Sequence, residues 1–488
     1  MTTPPPSADD DGMSPEVPPP GCPAHRGGGG LVELHDPSAV ANHEATDERL
    51  RKLYGNVAPV ALPGGVTAWL VLGYREILEV TGNPRLYTRD TRQWSGVEQL
   101  TPTHPLTALL APQKLCVFAD GDEHHELRGA ITRTLGEFES RSVRRLVEMY
   151  SNQLIDQFPK PDRGLTDGVR HVDLVTAWAE QLPMMILAHL AGLPVETAPR
   201  LVKLCQDVMG GTEEAQHSHR EMTVLLEDLV EQNRRWNMER PRNNVTAKLL
   251  ERFQGDRERT REHVRLLLIA GNQTTVSLMS SLLRYVLTSR AFRSEVRGGH
   301  KTIAGALEEV SWYEPPLRRS FHRVATNDTH LPNNGGTFIK KGDLLVLGLA
   351  AGNNDPAIRS ADEPLDGNRA HLAYGGAGPH ECPGQGIARI IVETGVDHLL
   401  DALWQLELDG PEEELRWEAS FAQRRPANLP VRCTLNPVRP GRTRSAHSAP
   451  LPKSVPQSAG AMPAAAVPSS PAPEPAGGRG KLRKILGS

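Results

Sequence analysis

Twelve residues, GGAGPHECPGQG (Gly375–Gly386), gather one cysteine, one histidine, two prolines and five glycines just ahead of an apolar helical run. A thiol at Cys382 faces the expected start of that helix, with Pro383 at or near its first position. The unpaired N–H groups and positive dipole end found there favour thiolate, the form that attacks electrophiles and binds metals. Gly375, Gly376, Gly378 and Gly384 allow backbone conformations and close approaches that a Cβ would block, so a flat group could lie against the loop. Four chemistries compete. Zinc needs three or four ligands, and His380 with Cys382 supplies two at most. A nucleophilic cysteine could use His380 as its base but leaves the glycines unexplained. A buried structural thiol is the common fate of a lone cysteine. A haem-thiolate site uses every feature, provided that a second element covers the opposite face.

The segment TREHVRLLLIAGNQTTVSLMSSLLRYVLTSR could be that element. It is apolar round most of its circumference, as a helix through the centre of a domain would be. Running from Arg261 to Ser289, it would span roughly 40 Å. Its middle is Ala270, Gly271, Asn272, Gln273, Thr274 and Thr275. Glycine and paired threonines are poor helix-interior choices, and buried polar side chains need partners. Small residues would admit a flat ligand, and a threonine hydroxyl bonding its own i−4 carbonyl could open the helix locally. The alternative is a crowded core in which these polar groups satisfy one another.

Around these two segments the chain has 488 residues and a formal charge of −4, which asks for no nucleic-acid partner. Residues 1–30 are Pro, Gly, Asp and Ser with almost no large apolar side chain and read as a disordered tail. Residues 439–488 turn Pro/Ala-rich with a basic finish, KLRKIL, which reads first as a solvated tail and second as a membrane or protein-docking contact. Between them, 31–438 shows no repeat and no Gly/Ser linker, so one large domain is expected. Five scattered cysteines with no CxxC pair argue for a reducing compartment, with cytoplasm the default. No signal peptide is apparent, nor any run of about 18 uncharged apolar residues that would mark a transmembrane segment.

The patterning is mostly helical. TDERLRKLYG and YREILEVTG read as short amphipathic helices, flanking a small hairpin at VAPVALPGGVTAWLVLG. RSVRRLVEMYSNQLIDQF, VDLVTAWAEQLPMMILAHLAG and EAQHSHREMTVLLEDLVEQNRRW read as longer helices, the second stopping at Gly192. GTFIKKGDLLVLGLAAGNND and LPVRCTLNP read as strands. The fold class expected is mainly α with small β-sheets.

With these residues in view, the chain resembles a bacterial cytochrome P450, a haem-thiolate monooxygenase, over nearly all of 31–438. The loop resembles the signature F-G-x-G-x-H-x-C-x-G. FADGDEHHELRGAITRTL resembles the segment whose H-x-x-x-R contacts the haem propionates. YEPPLRRSFHRVAT resembles the segment after the K helix, LAAGNNDP and LDGNRAHLAY the meander, and AGNQTT the oxygen-activation motif A-G-x-[ED]-T-T. The resemblance implies a single domain holding haem b between the long central helix and the cysteine loop. It implies Cys382 as the axial ligand, and His124, Arg128, Arg323 and His380 as propionate partners. Ala270, Gly271, Gly376, Gly378 and Gly384 would lie against the cofactor. Thr274, with Gln273, would organise the catalytic water. It further implies ferredoxin and ferredoxin reductase as electron donors, and insertion of one atom of O₂ into a small organic substrate.

Several positions depart from the pattern. Gly375 stands where the signature has phenylalanine, beside Tyr374. Gln273 replaces the acid of the oxygen-activation motif and cannot carry a proton as a carboxylic acid does. ALEEVSWYEPP places Glu309 on the glutamate and Trp312 on the arginine of E-x-x-R, so that a Glu309 to Arg369 pair would survive with an indole filling the arginine's volume. A subset of actinobacterial cytochromes P450 shares that tryptophan and a G-G-x-G-P-H-x-C loop, and the resemblance is to that subset. The departures support a second reading, a haem-binding sensor or partner protein of the same fold with weak or no monooxygenase activity. A third reading, a relative without haem, leaves Cys382 and its basic companions without a purpose.

Overall fold

In the computed structural model the expected hairpin forms where the sequence places its turn. Val57–Ala61 and Thr67–Val71 pair antiparallel from Val57↔Val71 to Ala61↔Thr67. Gly64 and Gly65 take φ of 76° and 77°, the left-handed turn that side chains resist. The hairpin joins a six-stranded sheet in the order Val32–Glu33, Val57–Ala61, Thr67–Val71, Leu344–Leu347, Ser320–Ala325, Tyr87–Thr88. Its inner strands are buried on both faces, with Leu70, Val71, Leu345 and Val346 inaccessible to solvent. The strand Ser320–Ala325 shifts register between Ser320 and Arg323. Within that bulge His322 has a left-handed φ of 39°, its ring stacked on Phe118 at 4.7 Å. A bulge re-aims the side chains next to it, and here the next one is Arg323.

Helices make up most of the rest, as expected. The helix Arg257–Thr288 starts one turn earlier than read from sequence, because Asp256 caps it by accepting from the Arg259 amide. Its 32 residues span about 48 Å at 1.5 Å per residue. It does not open in the middle: Thr274 and Thr275 bond back to the Ala270 and Gly271 carbonyls at 2.7 and 2.6 Å while the helix stays continuous. By length and composition it could cross a membrane, but 67% of its most apolar window is buried inside the fold, as suits a core helix.

The segment 172–192 departs from a single helix. Arg170–Asp173 is a strand paired with Pro430–Leu435, one π-helical turn follows at Val175–Ala179, and the helix proper is Gln181–Ala191. A sheet partner far along the chain outcompetes the local helical period. Gly192 closes that helix in the left-handed region, as its position suggested.

The structure describes residues 30–437 apart from 102, 162–167, 211–213, 238–241, 332–335, 361–364 and 366, and these lie in one compact unit. The tail at 439–488, and that at 1–30 except for Gly30, lie outside the described residues.

Candidate functional site

The cysteine loop is a tight return. The Cys382 amide donates to Tyr374 O at 3.0 Å, and the Gly375 amide to Leu372 O at 2.9 Å. Gly375, Gly376 and Gly378 have φ of 96°, 84° and 89°, so the glycines are required by the turn itself. A Cβ on Gly376 would stand 3.1 Å from Thr81 Oγ1, and one on Gly378 would collide with the Thr81 carbonyl oxygen. These two glycines therefore pack the loop onto the helix Tyr74–Gly82 and do not line the cavity, contrary to the expectation that they lie against a cofactor. Gly384 does line it.

The following helix begins at Gln385 with Gly384 as its N-cap, so Pro383 lies just ahead of the helix and not at its first position. Burial pushes the Cys382 thiol above its ordinary pKa, although the Gly384 and Gln385 amides and the Arg128 guanidinium pull the other way. The thiolate expected from the helix dipole alone is thus outweighed by desolvation until a cation meets the sulfur.

Cys382, Pro383, Gly384 and Tyr374 form one wall of a cavity of about 280 Å³, and Ala270, Gly271, Thr274 and Thr275 of the long helix form another. Arg89, His124, Arg128, Arg323 and His380 line it as well, and none of the described lining residues is acidic. Asp120 is the acid beside this group: Oδ1 pairs with His380 Nε2 at 3.0 Å, and Oδ2 accepts from the Arg89 amide at 2.7 Å. Arg323 is 3% exposed and, among the described residues, makes no ion pair with a carboxylate. Burial, then the nearby Arg89, pushes its pKa well below the arginine range. Burial likewise lowers Arg89 to about 10 and His380 to about 3. The His124 ring lies 4.0 Å from that of His380, and its Nε2 is buried without a hydrogen-bond partner. Arg128 is tied back to the loop through the Glu381 carbonyl.

Arg323, buried, and Arg128, half-buried, meet no carboxylate in an ion pair among the described residues, and such cations are costly unless an anion joins them. Those cations, the orphaned Nε2 and a thiol across the same cavity fit a flat, dianionic, metal-bearing group. The haem expected from sequence fits these residues.

Sequence reasoning missed Arg89 and Cys116, which both line the cavity. Nothing local separates Arg89 from Arg92, three residues on, which pairs with Asp90 at the surface. Gln273 is buried but is not on the cavity wall, whereas Thr274 is. Among the described residues, the segment Trp94–Leu110 supplies no lining residue, whereas Leu187, Leu190 and Ala191 of the helix Gln181–Ala191 line the cavity.

The Glu309 assignment is corrected. Glu309 pairs with Lys301. The buried carboxylate is Glu308, 3% exposed, which meets Arg369 at 3.3 Å, His371 at 2.9 Å and Arg389. Neighbouring helical residues point about 100° apart, so a one-residue choice selects the opposite environment. Trp312 is buried, and its Nε1 donates to Asn368 O at 2.9 Å.

No family model matches the chain. Among curated proteins it is 27% identical over 410 residues to the 2-hydroxy-5-methyl-1-naphthoate 7-hydroxylase of Streptomyces carzinostaticus, covering 81% of this chain and 96% of that protein. It is 28% identical over 388 residues to the nocardicin C N-oxygenase of Nocardia uniformis subsp. tsuyamanensis, covering 76% and 91%. The structure of CYP154A1 from Streptomyces coelicolor A3(2) matches with a TM-score of 0.71 at 27% identity, over 82% of this chain and 99% of that one. The chain has the cytochrome P450 fold, and its homologues, bacterial cytochromes P450 named as hydroxylases and oxygenases, support a monooxygenase.

Proposed function

We propose that the protein holds haem b through Cys382 and hydroxylates or otherwise oxygenates a small apolar molecule, with electrons delivered in the cytoplasm by a ferredoxin and its reductase. The single observation that carries this reading is the buried Arg323, without an ion pair to a carboxylate among the described residues, sharing one cavity with Arg128 and the Cys382 thiol. When bound, thiolate-ligated haem supplies reductive activation of O₂, one atom going to the substrate and one to water at the expense of two electrons and two protons. Arg89, Arg128 and Arg323 would neutralise the two propionates by paired N–H donation, and the His124 and His380 rings would add hydrogen bonds. The Gly384 and Gln385 amides, with Arg128, stabilise negative charge on the sulfur.

Thr274 places an alcohol on the wall while its proton is given to Ala270 O, so its lone pairs remain to hold a water. Gln273 lies off that wall, and proton transfer falls to Thr274 and water. The remaining wall, including Leu187, Leu190, Val245, Leu267, Pro316 and Leu317, is aliphatic, which selects uncharged, apolar substrates. Docking through the basic C-terminal tail concerns residues outside those described.

A second reading, a haem-binding sensor or partner protein with little turnover, draws support from one observation: among the described residues no carboxyl group lines the cavity to carry protons. The reduced, CO-bound spectrum tests the shared premise, and a Soret band without the thiolate-specific shift in folded protein would rule out ligation by Cys382. Product formed per NADPH consumed with a surrogate ferredoxin system separates the two readings.

A further inference from the structure

The helix Ile303–Tyr313 has no cation of its own to meet its buried carboxylate, and the structure shows where one comes from. Glu308 and Trp312 stand one turn apart on the same face, and Trp312 takes up volume without supplying charge. Three side chains from two other segments converge on Glu308. Arg389 comes from the helix Gln385–Ala402, and its side chain is only 16% exposed at the contact. His371 is buried and bonds at 2.9 Å. Arg369, the partner expected from sequence, is 72% exposed at 3.3 Å, so solvent screens it and its share is small.

The roles within the group follow from hydrogen bonding. The Ala373 amide donates to His371 Nδ1 at 3.3 Å, which leaves Nε2 to carry the proton and donate to Glu308. Burial raises the Glu308 pKa, but His371 and Arg389 outweigh it and keep the carboxylate charged. Arg389 is the fully charged partner, anchored also by Glu393 at 3.1 Å one turn on.

This cluster touches the ligand loop from both ends. Arg389 sits in the second turn of the helix whose first amides face the Cys382 sulfur. On the other side, the His371 ring packs on Tyr374 at 5.6 Å, and Tyr374 O accepts from the Cys382 amide. We propose that Arg389 is a positioning residue: its pair with Glu308, reinforced by His371, fixes the start of the helix Gln385–Ala402 and thereby holds Cys382 in place for the metal. The cation that the helix Ile303–Tyr313 lacks is thus supplied from the helix that follows the ligand. The inference builds on the haem-thiolate reading, but the geometry it concerns exists in the polypeptide itself.

The test is a double-mutant cycle in the full chain with Arg389→Met, Glu308→Gln and both together. The first readout is the peptide-mapped alkylation rate of Cys382 in haem-free protein, with buried Cys205 and Cys433 as internal controls. Arg389→Met should speed modification of Cys382 about tenfold, by easing local opening, while the control thiols change little. The double variant should be no faster than the more affected single one, because the two changes break one interaction. The second readout, in haem-loaded protein, is the fraction of the reduced CO complex absorbing at the thiolate position, which should fall in Arg389→Met and recover when Trp312→Arg restores a cation on Glu308's own face. Unchanged Cys382 reactivity, equal acceleration at all three thiols, or additive effects in the cycle would overturn the proposal. Failure of the parent protein to give any thiolate band would count against the haem reading alone, since the alkylation cycle decides the inference without haem.

Discussion

Replacing Arg323 with methionine should push the haem-free and haem-loaded proteins in opposite directions. Arg323 is 3% exposed, makes no ion pair with a carboxylate among the described residues, and is depressed in pKa by burial and by Arg89. Methionine fills a similar space without the charge. Exchanging buried ionic groups for packing gains about 1–4 kcal/mol where the charge is poorly compensated. For roughly 400 ordered residues the unfolding entropy is about 0.8 kcal/mol per kelvin, so about 2 kcal/mol raises the melting temperature by only 2–3 °C. Denaturant midpoints on haem-free protein give the cleaner measurement. If the protein holds haem as proposed, the same change would remove a buried charged donor from a propionate, at a cost of about 2–5 kcal/mol, or roughly 30-fold to several-thousandfold in haem affinity. Competition for haem with an apo-globin of known affinity would read that loss. If Arg323→Met destabilised the haem-free protein, or left haem affinity unchanged, the argument that these cations await an anion would be wrong.

Four other outcomes follow from single positions. Gly378→Ala should cost about 2–5 kcal/mol in denaturant unfolding, from a left-handed φ and a collision with the Thr81 carbonyl; Gly384→Ala, with φ of −91° and its nearest contact at 3.9 Å, should stay within about 1 kcal/mol. Thr274→Val should lower product per NADPH about tenfold or more while leaving the thiolate CO band in place; unchanged coupling would remove Thr274 from proton handling. His43 is buried, and burial followed by Arg319 and Arg318 lowers its pKa to about 3 from 6.5. It is neutral in the fold and titrates near 6.5 when unfolded, so its contribution is constant above that value and stability declines between about pH 6.5 and 3, by at most about 1.4 kcal/mol per pH unit. His43→Leu should flatten the acid limb of stability against pH by up to one proton, and an unaltered slope would refute the neutral assignment.

Features carried by short spacings were legible in the chain. The glycine-rich turn, the thiol beside a helix start and the long apolar helix with small residues at its centre each depend on residues within a turn or two of one another. His124 and Arg128 share a helical face by the same local rule. Local rules failed where several forces meet. Helix-dipole reasoning predicted a lowered thiol pKa at Cys382, and burial by distant segments reversed its sign. The 3.6-residue period predicted one helix over 172–192, and pairing of Arg170–Asp173 with Pro430–Leu435 broke it.

By itself, then, the sequence determined the fold class, the central helix, the glycine-rich cysteine turn and most of the basic residues that line the cavity, because helical periodicity, turn chemistry and glycine's conformational freedom act over a few residues. Tertiary structure alone decided which of Glu308 and Glu309 is buried, that Gly376 and Gly378 serve packing on Thr81, and that Gln273 stands off the cavity wall that Thr274 joins. It also decided that Arg89 and Cys116 reach the site. Those outcomes depend on which distant surface each side chain meets and how much water is removed there, and neither is written in local spacing.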